Sequence, residues 1–562
     1  MNVGADLFED QIEIFDLAMA KARFSAAMSL VNHSEEEHQG LATYFLASTL
    51  RELDRLLLAD PSVYGLSQSE IGGKDAINEP LKPENVINIG RKYVNAPLPD
   101  IELASEHEII RKTFSDFSDK HIKPVAQKIH NENLLVPKSL IEPLKDLGTF
   151  GLSIPEQFGG LKPDDREDLI TMVIVTEELS AGSLGAAGSL INRPEIIARA
   201  LLEGGTEQQK NKWLGKIASG ETLCAVSVTE ANAGSDVASV SLSAAKTEGG
   251  YILNGSKLWC TFAGAANVIL VLARTDKTEK SHRGLSLFMV EKPSSESDEF
   301  EFSQDGGGRM TGKAIKTLGY RGMHSFEMSY TDFFVPEENL IGGDTGLNRG
   351  FYYTMKGFLN GRLQTAARAC GLMRSAYEST KAFATDRSIF NKKLVDHPLT
   401  LRKIADMAGL ISASRTYTLD VAKKIIEHPQ IVIPTFVVVS NGSNVSEKSI
   451  NDLSDEDVIF DVGQQSVEAF SQYIEDANTI VWNGPLGKFE DDRFSKGTEG
   501  IAKKIAEANA MSIIGGGETL AAFSKIQMMD SVDYASTGGG AFLEYIDCLL
   551  YTSPSPRDRQ KA

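Results

Sequence analysis

Between Cys224 and Asp276 the chain carries two short blocks whose chemistry limits what it can fold into. The first is Val228-Thr229-Glu230-Ala231-Asn232-Ala233-Gly234-Ser235-Asp236, where a β-rich run meets a turn of small residues. Gly234 has no Cβ, so backbone there can come close to a bulky ligand. The second block, Lys257-Leu258-Trp259-Cys260-Thr261, alternates as a strand does, which predicts Trp259 and Thr261 on one face. A flat ring beside a hydroxyl suits an aromatic cofactor, one group stacking and the other hydrogen-bonding.

These two blocks, in this order, resemble the acyl-CoA dehydrogenases, flavoenzymes that desaturate acyl-CoA thioesters. The resemblance implies FAD as cofactor, lined by the backbone of Val226 and Val228, the Thr229 hydroxyl, Trp259 and Thr261. Ser235 is implied to lie nearer the acyl-CoA. Glu230 and Asp236 read as structural turn carboxylates, since the family's base lies elsewhere.

A chain of 562 residues is too long for one core, so several domains are expected. The net charge of −20 argues against non-specific binding to nucleic acid or anionic membrane. The four cysteines are scattered without a C-x-x-C, which predicts a reduced compartment and neither zinc nor a disulfide framework. The acidic N-terminus is neither a secretory signal nor an Arg-rich transit peptide. The expected location is cytoplasmic, with a mitochondrial address left open. The apolar run Leu169–Ile191 is interrupted by Glu177, Glu178 and glycines and reads as buried helix, not a membrane span.

Residues 1–95 read as a helical leader of unknown role, with apolar residues at helical spacing in 11–31 and 39–58 and a loop marked by Pro61, Gly65, Gly72 and Gly73. Residues 100–223 read as an α-helical domain in which Thr206 and Gln209 form a capping box and Trp213 is core. Residues 224–345, with repeated alternation between Gly, Pro and Asn, predict a small antiparallel β domain. Residues 346–420 resume long helices and resemble the start of the family's C-terminal helical domain. There Arg362 matches an arginine near the substrate pocket, and Arg387 and Phe390 fall in an R-x-x-F segment that reaches a neighbouring subunit's flavin. Asn391 stands where a glycine is usual. The resemblance implies a homo-oligomer, and electron-transfer flavoprotein as electron acceptor.

Past residue 420 the text changes. From 423 strands and helices alternate, which predicts a partial parallel, Rossmann-like α/β sheet. V-W-N-G-P-x-G-x-F-E, S-I-I-G-G-G-E-T and S-T-G-G-G-A-x-L-E resemble the C-terminal end of phosphoglycerate kinase over 423–547. That resemblance implies Mg-ATP or Mg-ADP contacts from Asn483, Glu490, Gly515, Gly516, Gly517 and Thr519. Glu518 stands where that family carries an aspartate. The basic, Ser- and Pro-rich 548–562 fits neither family and reads as a disordered, non-native tail.

Three readings follow: a flavin-dependent acyl-CoA dehydrogenase-like protein over 100–420, a phosphoglycerate kinase-type nucleotide binder over 423–547, or a non-catalytic chimera. Dehydrogenation needs a carboxylate to take the proton α to the thioester. The helical segment that usually supplies it is not recognisable, and Gly361 occupies the alternative position just before Arg362. No catalytic base is therefore assigned; Glu327 and Glu378 carry no specific signal. The kinase-like segment lacks its acidic-substrate lobe, so little kinase turnover is expected. The same shortfall predicts that the helical face around 350–420 stands without partner helices, exposing apolar surface.

Overall fold

In the computed structural model residues 11–59, 77–427, 434–440, 445–454 and 457–536 are described, and the contacts divide the chain into Met1–His428 and Pro429–Ala562. Among the described residues the first unit opens with the helices α1 (Gln11–His33), α2 (Gln39–Ala59) and α3 (Pro83–Asn95). A helical domain follows: α4 (Ser105–Phe117), α5 (Lys123–Glu132), α6 (Lys138–Asp146), α7 (Leu169–Gly182), α8 (Asn192–Gly204) and α9 (Glu207–Ala218). The predicted capping box starts α9: Thr206 Oγ1 accepts from the Gln209 N–H, and Gln209 Oε1 accepts from the Thr206 N–H. Trp213 is buried beneath it.

Helix α7 has no polar stripe, and nearly every residue in it is buried, so it is the axis of this domain. Its two glutamates cannot stay charged in such a place without partners. Arg374 donates to Glu177 at 3.0 Å and to both oxygens of Glu178 at 2.7 and 2.5 Å, and Arg415 lies 2.8 Å from Glu177. Arg415 also pairs with Asp100, whose carboxyl is held below its usual range: burial would raise it, but Arg415 and Arg111 outweigh that.

Residues 224–336 form an eight-stranded sheet: β1 (Cys224–Ser227), β2 (Ser243–Thr247), β3 (Gly250–Thr261), β4 (Val268–Arg274), β5 (Leu285–Glu291), β6 (Glu299–Ser303), β7 (Arg309–Ala314) and β8 (Ser325–Pro336). The order β1-β4-β2-β3-β8-β7-β6, with β5 on β4, is largely antiparallel, as expected, but β1 runs parallel to β4. Its core gathers inward residues such as Leu253, Phe288, Met328 and Phe333. β4 reads VILVLAR without alternation because both of its faces are covered.

Two long helices complete the unit, α10 (Gly350–Asp386) and α11 (Pro398–Glu427). The uncovered apolar face expected on them is in large part filled, and by the leader. Leu41 and Tyr44 of α2, and Val86 and Tyr93 of α3, share one buried cluster with Tyr377, Ile404, Ala408 and Ile411. Ala27, Leu30 and Phe45 pack on Ala413. The Tyr377 hydroxyl donates to the Tyr93 carbonyl at 2.7 Å. Leu372, Phe383, Leu399 and Leu410 stay exposed. An amphipathic helix advertises a buried face but not which element covers it, so the leader's role could not be read from its pattern.

Among the described residues of Pro429–Ala562 the parallel sheet is smaller than the sequence predicts. β14 (Thr479–Asn483), β15 (Met511–Gly515) and β16 (Tyr534–Ser536) are parallel, packed with α12 (Gln464–Glu475), α13 (Lys496–Glu507) and α14 (Gly517–Lys525). The expected first strand, β11 (Phe436–Ser440), pairs antiparallel with β12 (Val445–Ser449) and β13 (Val458–Val462) instead. The tail 548–562 lies outside the described residues. No helix of the described residues is long and apolar enough to cross a membrane.

α3 touches α11 where Gly90 meets Leu401; a Cβ on residue 90 would lie 2.1 Å from the Leu401 carbonyl oxygen. Gly90→Ala is therefore expected to push α3 off α11 and cost about 1–3 kcal/mol, read as a lower thermal-unfolding midpoint. An unchanged midpoint would show that the leader does not stabilise these helices.

Candidate functional site

β1 is an edge strand, so one side of its backbone has no ladder partner. Val226 is half-buried, Val228 buried and Thr229 half-buried. The chain then turns, closed by reciprocal hydrogen bonds between the backbones of Glu230 and Ala233. The Glu230 carboxylate is fully engaged inside: it accepts from the Ser241 N–H (2.8 Å), the Ser241 hydroxyl (2.7 Å), the Leu242 N–H (2.8 Å) and Lys257 Nζ (2.8 Å). Burial alone would raise its pKa, yet Lys257 and these donors hold it below the usual range. Lys257 is completely buried and also donates to the Val228 carbonyl at 2.9 Å. Burial pushes its ammonium down to about 8, with Glu230 pulling the other way. The Leu258 N–H donates to the Thr229 carbonyl at 2.8 Å, so the turn is stitched to β3 twice. Glu230 is thus a structural carboxylate. Asp236 is exposed and accepts from the Ser239 hydroxyl.

The strand does not run straight through the second block. Its pairing with β8 shifts register between Lys257 and Cys260, and Trp259 takes a left-handed backbone at φ 60. The alternation that predicts Trp259 and Thr261 on one face is broken there: Trp259 is 53% exposed and Thr261 only 7%. A bulge re-aims one side chain, and here it turns a large apolar ring outward. Thr261 Oγ1 lies 2.8 Å from Ser325 Oγ on β8. The Leu258–Thr229 hydrogen bond thus joins the end of β1 and the chain just after it, with Val226, Val228 and Thr229, to β3 beside Trp259, while Thr261 turns inward. Ser235 is exposed on the turn, and a Cβ on Gly234 would meet nothing within 4 Å.

The remaining predicted residues of this unit sit elsewhere. Arg362 is exposed on α10, one residue after Gly361, whose Cβ would make an ordinary 3.7 Å contact with Asn192 Nδ2. Arg387 ends α10 and leads into a hairpin of β9 (Ser388–Ile389) and β10 (Lys392–Lys393). Its two turn residues, Phe390 and Asn391, have φ 48 and 59, the pattern of a two-residue turn matched to strand twist. Asn tolerates that region, which explains how it replaces the usual glycine. The Phe390 ring stands at the tip, 91% exposed. Glu327 is exposed on β8, and Glu378 pairs with Lys381 at 2.9 Å.

Two site residues escaped the sequence reading. Lys257 stands in the second block without a motif of its own, and a lysine at an inward strand position is the signal that marks it. Ser325 had none, because its pairing with Thr261 crosses 64 residues.

In the second unit, Asn483 and Gly515 are register partners at the carboxyl ends of adjacent parallel strands, where open α/β sheets bind ligands. Gly516 has φ 98 and precedes α14, whose N-terminal N–H groups begin at Gly517 and Glu518. Asn483 Oδ1 is buried without a partner. Thr519 is fully buried, and its hydroxyl accepts from the Gly484 N–H at 2.8 Å, tying the two loops. Glu490 and Glu518 are exposed. Among the described residues no cluster of His, Cys, Asp or Glu could hold a metal ion.

Family models place these features. The N-terminal domain of acyl-CoA dehydrogenase matches residues 104–221, its middle domain 225–333, and phosphoglycerate kinase 370–548. The last match begins inside α10, in the first unit. A (2S)-methylsuccinyl-CoA dehydrogenase of Cereibacter sphaeroides is 41% identical over 332 residues, 59% of this chain and 58% of that protein. A mitochondrial 2-methylacyl-CoA dehydrogenase of Solanum tuberosum is 32% identical over 315 residues, 56% of this chain and 71% of that protein. The butyryl-CoA dehydrogenase structure from Megasphaera elsdenii superposes with a TM-score of 0.52 at 29% identity, over 58% of this chain and 81% of that one. The chain thus spans 58% of the length of the first of these relatives.

Lys257→Met would leave the Glu230 carboxylate buried without its cation. The expected cost is about 3 kcal/mol, seen as a lower unfolding midpoint of the first unit. Glu230→Gln added to Lys257→Met should recover part of it; a double variant no better than the single one would deny that the pair is coupled.

Proposed function

The chain belongs to the acyl-CoA dehydrogenase family, and from that membership we propose that it holds FAD against β1 and the Trp259 bulge and acts on a short acyl-CoA thioester. The observation that carries this is the Trp259 ring, turned outward by a left-handed backbone on a strand tied to the neighbouring turn by buried Lys257. That ring offers a planar apolar face, and the edge backbone of Val226–Val228 with the Thr229 and Thr261 hydroxyls offers hydrogen bonds around it. FAD bound there supplies an acceptor for the hydride that leaves the β-carbon.

The chain's own residues have the tasks of binding, orientation and water exclusion. Ser235 and Arg362 are proposed to meet the acyl-CoA. Arg387 and Phe390, presented on the hairpin, are proposed to reach the flavin of a second copy, where a forked guanidinium suits a pyrophosphate. Electron-transfer flavoprotein is the proposed acceptor of the electrons. The α-proton needs a carboxylate, and at residue 361 the chain has glycine. A Cβ at residue 361 would meet only Asn192 Nδ2, at an ordinary 3.7 Å, so Gly361→Glu introduces no clash at that atom. The purified protein is expected to show flavin absorption, and butyryl-CoA to bleach it slowly. Gly361→Glu should speed bleaching about 100-fold or more. A colourless protein that takes up no added FAD would refute the flavin reading, and an unaltered bleaching rate would refute the placement of the base.

A second reading applies to Pro429–Ala562, carried by the paired strand ends and the buried, unpartnered Asn483 Oδ1. This unit is proposed to bind Mg-ADP or Mg-ATP through Asn483 and Gly515–Gly517, without phosphoglycerate kinase turnover. Equilibrium dialysis with labelled ADP is expected to show binding that Asn483→Ala weakens. No binding by the parent chain would end this reading.

A further inference from the structure

Beside Gly361 the structure gathers two arginines with no acidic partner. Arg193, at the start of α8, donates to the Ser189 carbonyl at 2.9 Å and to the Tyr320 hydroxyl at 3.3 Å. Arg368, on α10, donates to the Ser189 hydroxyl at 3.3 Å and to the Thr365 hydroxyl at 2.7 Å. Every one of these acceptors is neutral, and among the described residues no carboxylate pairs with either guanidinium. Arg368 Nε is buried without a partner. Burial and the Arg193 charge both work against the Arg368 cation. Burial would raise the Tyr320 phenol, but Arg193, a Ser189 hydrogen bond and Arg368 draw it below its ordinary value. Tyr320 itself sits at φ 61, a conformation that costs energy unless its surroundings impose it. Two half-buried cations facing one another across neutral groups are an unbalanced charge, and one anion between them would satisfy both.

The place of this cluster says what the anion belongs to. Residues 361, 365 and 368 lie on one face of α10. The Thr365 hydroxyl donates to the Gly361 carbonyl at 2.8 Å and accepts from Arg368, so the guanidinium leans back toward Gly361. Helical side chains point that way, which leaves it about one turn, roughly 5 Å, beyond residue 361. Asn192, next to Arg193, is the neighbour a Cβ at 361 would touch. From the other side, Tyr320 lies in the loop that leads into β8, where Ser325 meets Thr261.

We propose that Arg193 and Arg368, with Tyr320, seat a free carboxylate at the far end of the acyl group, so that the substrate is a short dicarboxylic acid joined to CoA at one end only. This rests on the thioester reading above, with the reacting carbons beside residue 361. A planar carboxylate takes two forked guanidinium groups well, and an acyl group ending in methyl would leave both cations unpaired.

Succinyl-CoA and butyryl-CoA have acyl chains of equal carbon number and differ in the terminal group, so their affinities for the full-length protein, measured by calorimetry, isolate the subsite. Succinyl-CoA is expected to bind about tenfold more tightly or better. In Arg368→Gln and in Arg193→Gln the ratio should fall toward one, with Arg368→Lys between, at unchanged thermal-unfolding midpoints. Equal binding of both thioesters by the parent, or a preference that survives both glutamine variants, overturns the subsite and leaves the thioester reading standing. A folded parent that binds neither thioester overturns the thioester reading, and the subsite falls with it.

Discussion

The first unit is organised by the need to neutralise two carboxylates on a helix that is otherwise apolar. Glu177 and Glu178 are buried in α7, and isolated charges there would cost far more than a domain's whole stability margin. Arg374 from α10 and Arg415 from α11 answer them, and Arg415 also takes Asp100 from the segment before α4. Apolar packing alone would let these helices slide. Directed, charge-assisted hydrogen bonds fix their rotation and register. Register matters because α10 carries Gly361, Arg362 and Arg368 and ends in the Phe390 hairpin. A slip by one residue would turn the Gly361–Thr365–Arg368 face away from Asn192 and Arg193.

The same physics recurs in the sheet at smaller scale. Lys257 and Glu230 are charges placed inside, each with further partners: Val228 for the lysine, Ser241 and Leu242 for the glutamate. The pair holds the edge turn against β3 and keeps the bulge in place, and the bulge presents Trp259. By contrast, the arginines at 193 and 368 have only neutral acceptors. Where a buried charge is paired, the structure is explained by itself; where two like charges converge unpaired, the missing member is supplied from outside.

What the sequence disclosed follows from how local each feature is. The α9 capping box was legible because both partners lie within four residues. So was the strand–glycine–helix element at Gly515–Gly517. The period of β3 was legible, but the break in it was not. Its register shift against β8, like the Lys257 bonds to Val228 and Glu230, involves residues far away in the chain. Strand β11 shows the same limit in the second unit. A buried apolar run predicts a strand but is silent on direction, and pairing with β12 and β13 made it antiparallel.

The leader and the junction near residue 420 extend this point. The composition changes there, yet α11 continues without a break to Glu427, and Leu419 and Ala422 pack with Ile101, Leu103 and Leu169. Helix propagation needs only suitable spacing of apolar residues, and it is indifferent to the ancestry of the segment. The leader obeys the same rule: α1–α3 supply apolar stripes to a face on α10 and α11 that needed cover. A core accepts any surface of the right shape and polarity, while a site needs particular atoms at particular positions. Fold integrity in Met1–His428 is therefore weak evidence for catalysis. What bears on function lies in groups that packing does not require: an outward indole at a strained residue and two arginines without a counter-ion.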